Sequence, residues 1–203
     1  MLPQDLHIHT TYSSGDRAVV PGQTMELIAS MKHAEVTGIS DHVEYLTGSA
    51  FDAYSSEAKS RGFRLGAEIN NVEDVDFALS LPLEYRVFHC YDEDICYEAA
   101  GKMVESGQPL IIAHPMAVGT DLSRIPEGCY VEINNRYIWR GDWKTFFAPW
   151  AEHFDFVFSS DAHQPHWLNQ NVARYVGKEL GIQETLLFGS PAGIRDERAE
   201  KSA

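Results

Sequence analysis

Short apolar runs alternate with longer segments of helical periodicity along the whole chain. Residues 6–9 read as a strand, and 22–34 follow as a helix, with Met25, Leu27, Ile28 and Met31 near helical spacing. Residues 36–40 are the next apolar run. A second helix covers 50–61 and is stopped by Gly62. Residues 63–69 and 85–89 read as strands, and 93–106 as a helix ended by Gly107. Strands at 110–113, 129–133 and 154–159 follow, with a helix at 143–153 between the last two and another at 172–180, closed by Gly181. Such alternation predicts an α/β fold with a parallel sheet and crossovers, either doubly wound or closed as a barrel. No internal repeat, low-complexity tract or linker interrupts it, so residues 1–190 read as one domain. The charged, small-residue stretch 191–203 reads as a flexible tail.

Charge narrows the choice of partners. The chain has 16 Lys+Arg against 30 Asp+Glu, a formal net charge of −14. That balance disfavours nucleic acid, whose partners normally present a basic face. Bound divalent cations would offset some of the charge locally, so a phosphate ligand stays open. No apolar run reaches the roughly 18 residues of a membrane span, and residues 1–5 lack the pattern of a signal peptide. The expectation is a cytoplasmic protein with no membrane partner. Cys90, Cys96 and Cys129 form no C-x-x-C pair, and their odd count in a chain expected to be cytoplasmic predicts reduced, buried thiols rather than a disulfide framework. Strand alternation turns Cys90 away from any site that His89 faces.

The chemistry lies in where the nine histidines sit. His7 and His9 are two apart on the first strand and so leave one face. Asp161 and His163 repeat that spacing after the strand at 154–159. His42, Glu68, His89 and His114 each lie at or just past the end of another apolar run. In parallel α/β folds the C-terminal strand ends are where sites assemble, so six separated segments would converge on one mouth. Imidazole and carboxylate together suit Zn, Mn or Fe, and the absence of thiolate argues against a closed structural zinc. The set is too large for one ion, and Glu68 is suited to bridging. His33 and His153, at helix ends, read instead as ordinary hydrogen-bonding residues, with His33 also complementing a helix dipole.

At these residues the sequence resembles the PHP (polymerase and histidinol phosphatase) family. The motifs are Asp5-Leu6-His7-Ile8-His9-Thr10 with Ser13 and Asp16, Ile39-Ser40-Asp41-His42, Gly66-Ala67-Glu68, Ala113-His114-Pro115 and Ser159-Ser160-Asp161-Ala162-His163, in the family's order. The eight or nine ligands imply two or three divalent ions (Zn, Mn or Fe), and the resemblance implies a distorted seven-stranded β/α barrel holding a trinuclear site at its C-terminal mouth. It implies His7, His9, Glu68 and Asp161 on a first ion, with Glu68 bridging to a second completed by His89 and His114. Asp16, His42 and His163 would hold a third. The loop around residue 16 also admits Asp16 as a turn residue, and His89 rests on placement more than on motif. Asp41 reads as orienting an imidazole by accepting its other N–H.

The expected chemistry is hydrolysis of a small phosphorylated substrate by a hydroxide shared between two ions, with Glu68, Asp161 and His163 at the reacting centre. Arg17 and Arg136 are the basic residues placed to clasp phosphate. His166 reads as a phosphate contact or an exposed loop residue. Tyr12, Tyr45, Tyr91, Tyr137 and Trp139 are candidates to stack a ring or pack the rim. The rival readings are a 3′–5′ exonuclease on single strands, an amidohydrolase-type C–N hydrolase and an inert metal-binding domain.

Overall fold

The structure is a computed structural model that describes residues 1–189; the tail expected at 191–203 lies outside them. The chain runs β1 (Leu2–Asp5), α1 (Met25–Met31), β2 (Ala34–Ile39), α2 (Ser49–Ser60), β3 (Arg64–Leu65) and β4 (Glu68–Ile69). It continues with α3 (Val75–Ser80), β5 (Arg86–Phe88), α4 (Asp94–Glu105), β6 (Leu110–Ile112) and α5 (Pro115–Val118). β7 (Cys129–Asn134), α6 (Trp143–Phe147), β8 (Asp155–Ser159) and α7 (Asn171–Leu180) complete it.

Every ladder is parallel, as the alternation predicts. The strands form two sheets, β1-β2-β3 and β4-β5-β6-β7-β8, so the described residues make a single mixed α/β domain with eight strands rather than one continuous seven-stranded ladder. Single parallel bridges join the sheets on both sides, His42 with Glu68 and Ile8 with Ala162.

Both departures from the expected strands have local causes. The run 63–69 divides because its middle changes partner: Gly66 N donates to Ile39 O at 2.9 Å, whereas Ala67 O accepts Val87 N at 3.0 Å. The first strand forms at Leu2–Asp5, where β2 supplies the register, and residues 6–9 run on past it. There Ile8 O accepts Ser40 N at 2.9 Å and His9 N donates to Ala162 O at 3.0 Å, so this segment spans the seam between sheets. Helices are trimmed by their ends. Thr24 caps α1, and Lys32 takes a left-handed conformation after it. Pro149 lies in a 3₁₀ turn that replaces the rest of the helix expected at 143–153. The short α3, with Val75 and Ala78 buried, was not anticipated.

Alternation along the strands builds two apolar layers. Val87, Ile111 and Val157 join Leu6, Tyr85 and Ala113 in a small inner cluster. Phe88, Ile112, Phe156 and Phe158 face outward into the larger layer beneath the helices. Sheets covered on both faces are typical of parallel α/β architecture. All three cysteines are free and buried. Among the described residues, no helix is long and apolar enough to cross a membrane.

Gly66 shows how tightly this packing fixes the site. A Cβ there would lie 2.3 Å from Cζ of Tyr85, whose ring is fully buried and whose hydroxyl donates to Ile39 O at 3.0 Å. Gly66→Ala must therefore displace an aromatic ring two residues before Glu68. Its expected cost is about 2 kcal/mol or more, read as a lower denaturant midpoint at unchanged slope. Wild-type stability in that variant would show the ring to be free to move.

Candidate metal centre

Five imidazoles converge on one buried carboxylate. Glu68, 2% exposed, opens β4. Its Oε1 lies 2.7 Å from His89 Nε2, 3.0 Å from His7 Nε2 and 3.5 Å from His114 Nε2. Its Oε2 lies 3.1 Å from His42 Nδ1 and 3.2 Å from His9 Nε2. These side chains follow β1, β2, β5 and β6, so the parallel arrangement delivers them to one end.

Asp161 and His163, just past β8, close the group. Asp161 Oδ1 stands 3.6 Å from His9 Nε2 and 3.8 Å from His7 Nε2. Asp16 Oδ2 lies 2.8 Å from His163 Nε2 and 3.4 Å from His42 Nε2. Its other oxygen accepts Ala18 N at 2.7 Å, so Asp16 closes its turn and faces the histidines as well. The structure thus brings together all nine residues expected as ligands. A cavity of about 310 Å³ opens over them, lined also by Asn70, Tyr91, Arg136 and Tyr137.

The donor set fits divalent ions. Three groups have donor atoms within 4.8 Å of one another: His7, His9 and Asp161; His7, Glu68 and His114; and His9, Asp16, His42 and His163. Ligands about 2.1 Å from an ion sit roughly 3–3.5 Å apart, which is the spacing of these nitrogens and oxygens. His7 Nε2 and His9 Nε2 face each other at 3.2 Å, an arrangement that suits a shared cation between two lone pairs. His9 falls in the group of Asp16, which its expected place on the first ion alone did not anticipate.

A second ring of polar side chains holds the imidazoles. Glu132, fully buried in β7, has Oε1 2.8 Å from His7 Nδ1, while Oε2 accepts the backbone N–H of His114 at 2.6 Å. A carboxylate there requires the proton on Nδ1 and leaves Nε2 directed at the site. Asn134 Nδ2 donates to Glu132 and Asp161, at 3.0 and 3.2 Å. Glu132 was not among the expected residues, although a carboxylate inside the apolar run Val131–Ile133 was its visible signal. Asn70 Nδ2 lies 2.7 Å from His42 Nδ1 and was likewise missed.

Asp41 does not orient an imidazole. Its oxygens are filled by the N–H and hydroxyl groups of Thr10 and Ser13, at 2.7 to 3.0 Å. It shapes the turn after His9, and Ser13 Oγ in turn sits 3.3 Å from His9 Nδ1. Arg136 Nη1 lies 3.4 Å from Asp161 Oδ1 and 3.1 Å from the ring nitrogens of His163. Arg17 and His166 are exposed and do not line the cavity. His33 pairs with Asp5 at 3.2 Å, and His153 is exposed beside Trp150.

Electrostatics and strain both concentrate here. Burial alone would lower the pKa of His7, but Glu132, Asp161 and Glu68 outweigh it and hold it well above the usual histidine value. Burial, reinforced by His163, pushes His9 well below that value. Burial opposes ionisation of Glu68, yet His89, His7 and His9 keep it well below the usual carboxylate range. Burial is likewise overcome at Glu132, which His7 holds down to about 2. Among the described residues only Lys32, His114 and Asp161 are non-glycines with positive φ, and the latter two, at 26° and 51°, are candidate ligands. Each such conformation costs on the order of 1–3 kcal/mol and persists where its surroundings enforce it.

Two outcomes follow for metal binding. Glu132→Ala should weaken Zn affinity about 10–100-fold in competition with a chelator; unchanged affinity would remove Glu132 from the support of His7. An ion must displace the proton that the carboxylates keep on His7. Uptake should therefore release protons into weak buffer, and affinity should fall as pH is lowered. No protein-family model matches the chain, and no curated protein matches it, so its chemistry is read from these residues alone.

Proposed function

We propose that this chain is a metal-dependent phosphoesterase of the PHP type, acting on a small phosphate monoester or short diester. The observation that carries the reading is the Glu68 carboxylate, with His7, His89 and His114 about one oxygen and His9 and His42 about the other. A bridging carboxylate between oxygen- and nitrogen-donor sites is what paired-ion hydrolysis needs. In this reading β3 and β4 count as one interrupted strand, which makes seven, and the bridges at Ile8 and His42 mark where a distorted barrel closes.

Zn, Mn or Fe suits the donors. His7, His9, Glu68 and Asp161 would hold one ion, Glu68, His89 and His114 a second, and Asp16, His42 and His163 a third. When bound, such ions supply water activated near neutral pH and neutralise charge on phosphate oxygens. The protein's own part is positioning. Glu132 fixes the ring of His7, Asp41 fixes the turn carrying Thr10 and Ser13, and Arg136 stands at the cavity edge where its guanidinium can clasp a nonbridging oxygen. In hydrolysis the water oxygen bonds to phosphorus as the ester P–O bond breaks. One water proton passes to the leaving oxygen, giving an alcohol together with inorganic phosphate from a monoester or a phosphate monoester from a diester. A cavity of about 310 Å³ is at the small end of ligand sites, in keeping with a small ester.

The test is a screen of metal-loaded protein on monoesters, nucleotides and short oligonucleotides. Two or three ions per chain and turnover that a chelator abolishes are expected. Glu68→Ala should lose bound metal and more than about a hundredfold in activity together. Less than one ion per chain, or full activity in that variant, would overturn the proposal.

A further inference from the structure

A second cavity, of about 300 Å³, adjoins the candidate metal centre and shares Arg136 with it. Its wall carries Trp139, Arg140, Ser160 and Trp167, together with Asn135 and Asn169, and among the described residues no carboxylate lines it. In a chain of net charge −14 that is an unusual lining. Arg140 is exposed and forms no ion pair among the described residues; its guanidinium lies 4.6 Å from the Tyr137 ring centre and 5.3 Å from that of Trp139. Arg136 lies 5.3 Å from the centre of the Trp167 ring, so each arginine is paired with an indole of the wall. Ser160, 1% exposed, closes the inner side of the cavity.

The inner part of the wall is held before any ligand arrives, while the Trp139 ring, 64% exposed, borders the cavity on its solvent side. Asn134 Oδ1 accepts Arg136 N at 2.9 Å and Tyr137 N at 3.1 Å. Asn135 Oδ1 accepts Val172 N and Ala173 N at the start of α7, and its amide donates to Asn169 at 3.3 Å. Guanidinium groups select anions, indoles select planar rings, and a partly fixed wall spares some of the entropy of ordering it. We propose that this cavity is the leaving-group subsite, taking an aryl or heteroaryl phosphate whose ring bears a second negative charge. The ring lies against Trp139 and Trp167, and the distal charge meets Arg140. This rests on the phosphoesterase reading for its orientation, with the ester phosphorus toward Arg136 and Asp161.

The experiment compares 3-carboxyphenyl phosphate with phenyl phosphate on metal-loaded protein, with tryptophan fluorescence titrated in parallel. Wild type should favour the carboxylated ester by about tenfold or more in kcat/KM, the scale of one charge-assisted contact. Arg140→Ala should bring that ratio close to one, and Arg140→Lys should keep part of it. The ratio is internal to each variant, so altered folding does not mimic the effect. Hydrolysis of both esters with no preference, unaffected by Arg140→Ala, would overturn the subsite and leave the phosphoesterase reading standing. No hydrolysis, but saturable quenching by 3-carboxyphenyl phosphate that Arg140→Ala abolishes, would sustain a binding site there and overturn its leaving-group role. Neither turnover nor quenching would overturn the subsite, while the phosphoesterase reading is decided by the wider screen.

Discussion

The carboxylate of Glu68 is buried among five imidazoles, and the rest of the molecule is organised around keeping it ionised there. Burying a charge costs several kcal/mol unless opposite charge and hydrogen bonds surround it. Here the surrounding groups come from separate strand ends, so the charge is sustained only if the strands hold their order and register. Glu68 N donates to Asp41 O at 3.0 Å, and the His42–Glu68 bridge is itself one of the two junctions between sheets. The residue that gathers the site therefore also helps to join the fold.

Support for this arrangement comes from below the mouth. Glu132 touches His7 through one oxygen and the backbone of His114 through the other, linking ring orientation to a backbone conformation with φ of 26°. Asn134 extends the link to Asp161, whose φ of 51° is also strained. Two unfavourable conformations are thus held by one buried network rather than by separate devices. On the far side, Tyr85 and Gly66 fix the approach to β4 by contact, leaving no room for a Cβ.

Much of this was legible in the sequence for a physical reason. Parallel crossover topology sends every strand's C-terminal end to the same side, so histidines that end apolar runs must meet. Periodicity located those runs, and the odd count of Cys90, Cys96 and Cys129 pointed to the free, buried thiols that the structure has. Legibility failed where tertiary pairing sets the outcome. Residues 6–9 look more strand-like than Leu2–Asp5, but β2 pairs with the latter. The interruption at Gly66 follows from a change of hydrogen-bond partner, which no local pattern records. Arg17 neighbours Asp16 in sequence yet lies outside the cavity lining. His166 likewise is the exposed residue of a 3₁₀ turn and lies outside that lining. Glu132 was visible as a carboxylate among apolar neighbours, but only its contact with His7 gives that position a role.

The account stands on the claim that Glu68 bridges two bound ions. Anomalous diffraction from crystals of the full chain grown with Mn, recorded on both sides of the Mn absorption edge, tests it directly. The account predicts one peak between Glu68 and the pair His89 and His114, and another between Glu68 and the set His7, His9 and Asp161. Density with no anomalous peak against either Glu68 oxygen would contradict it.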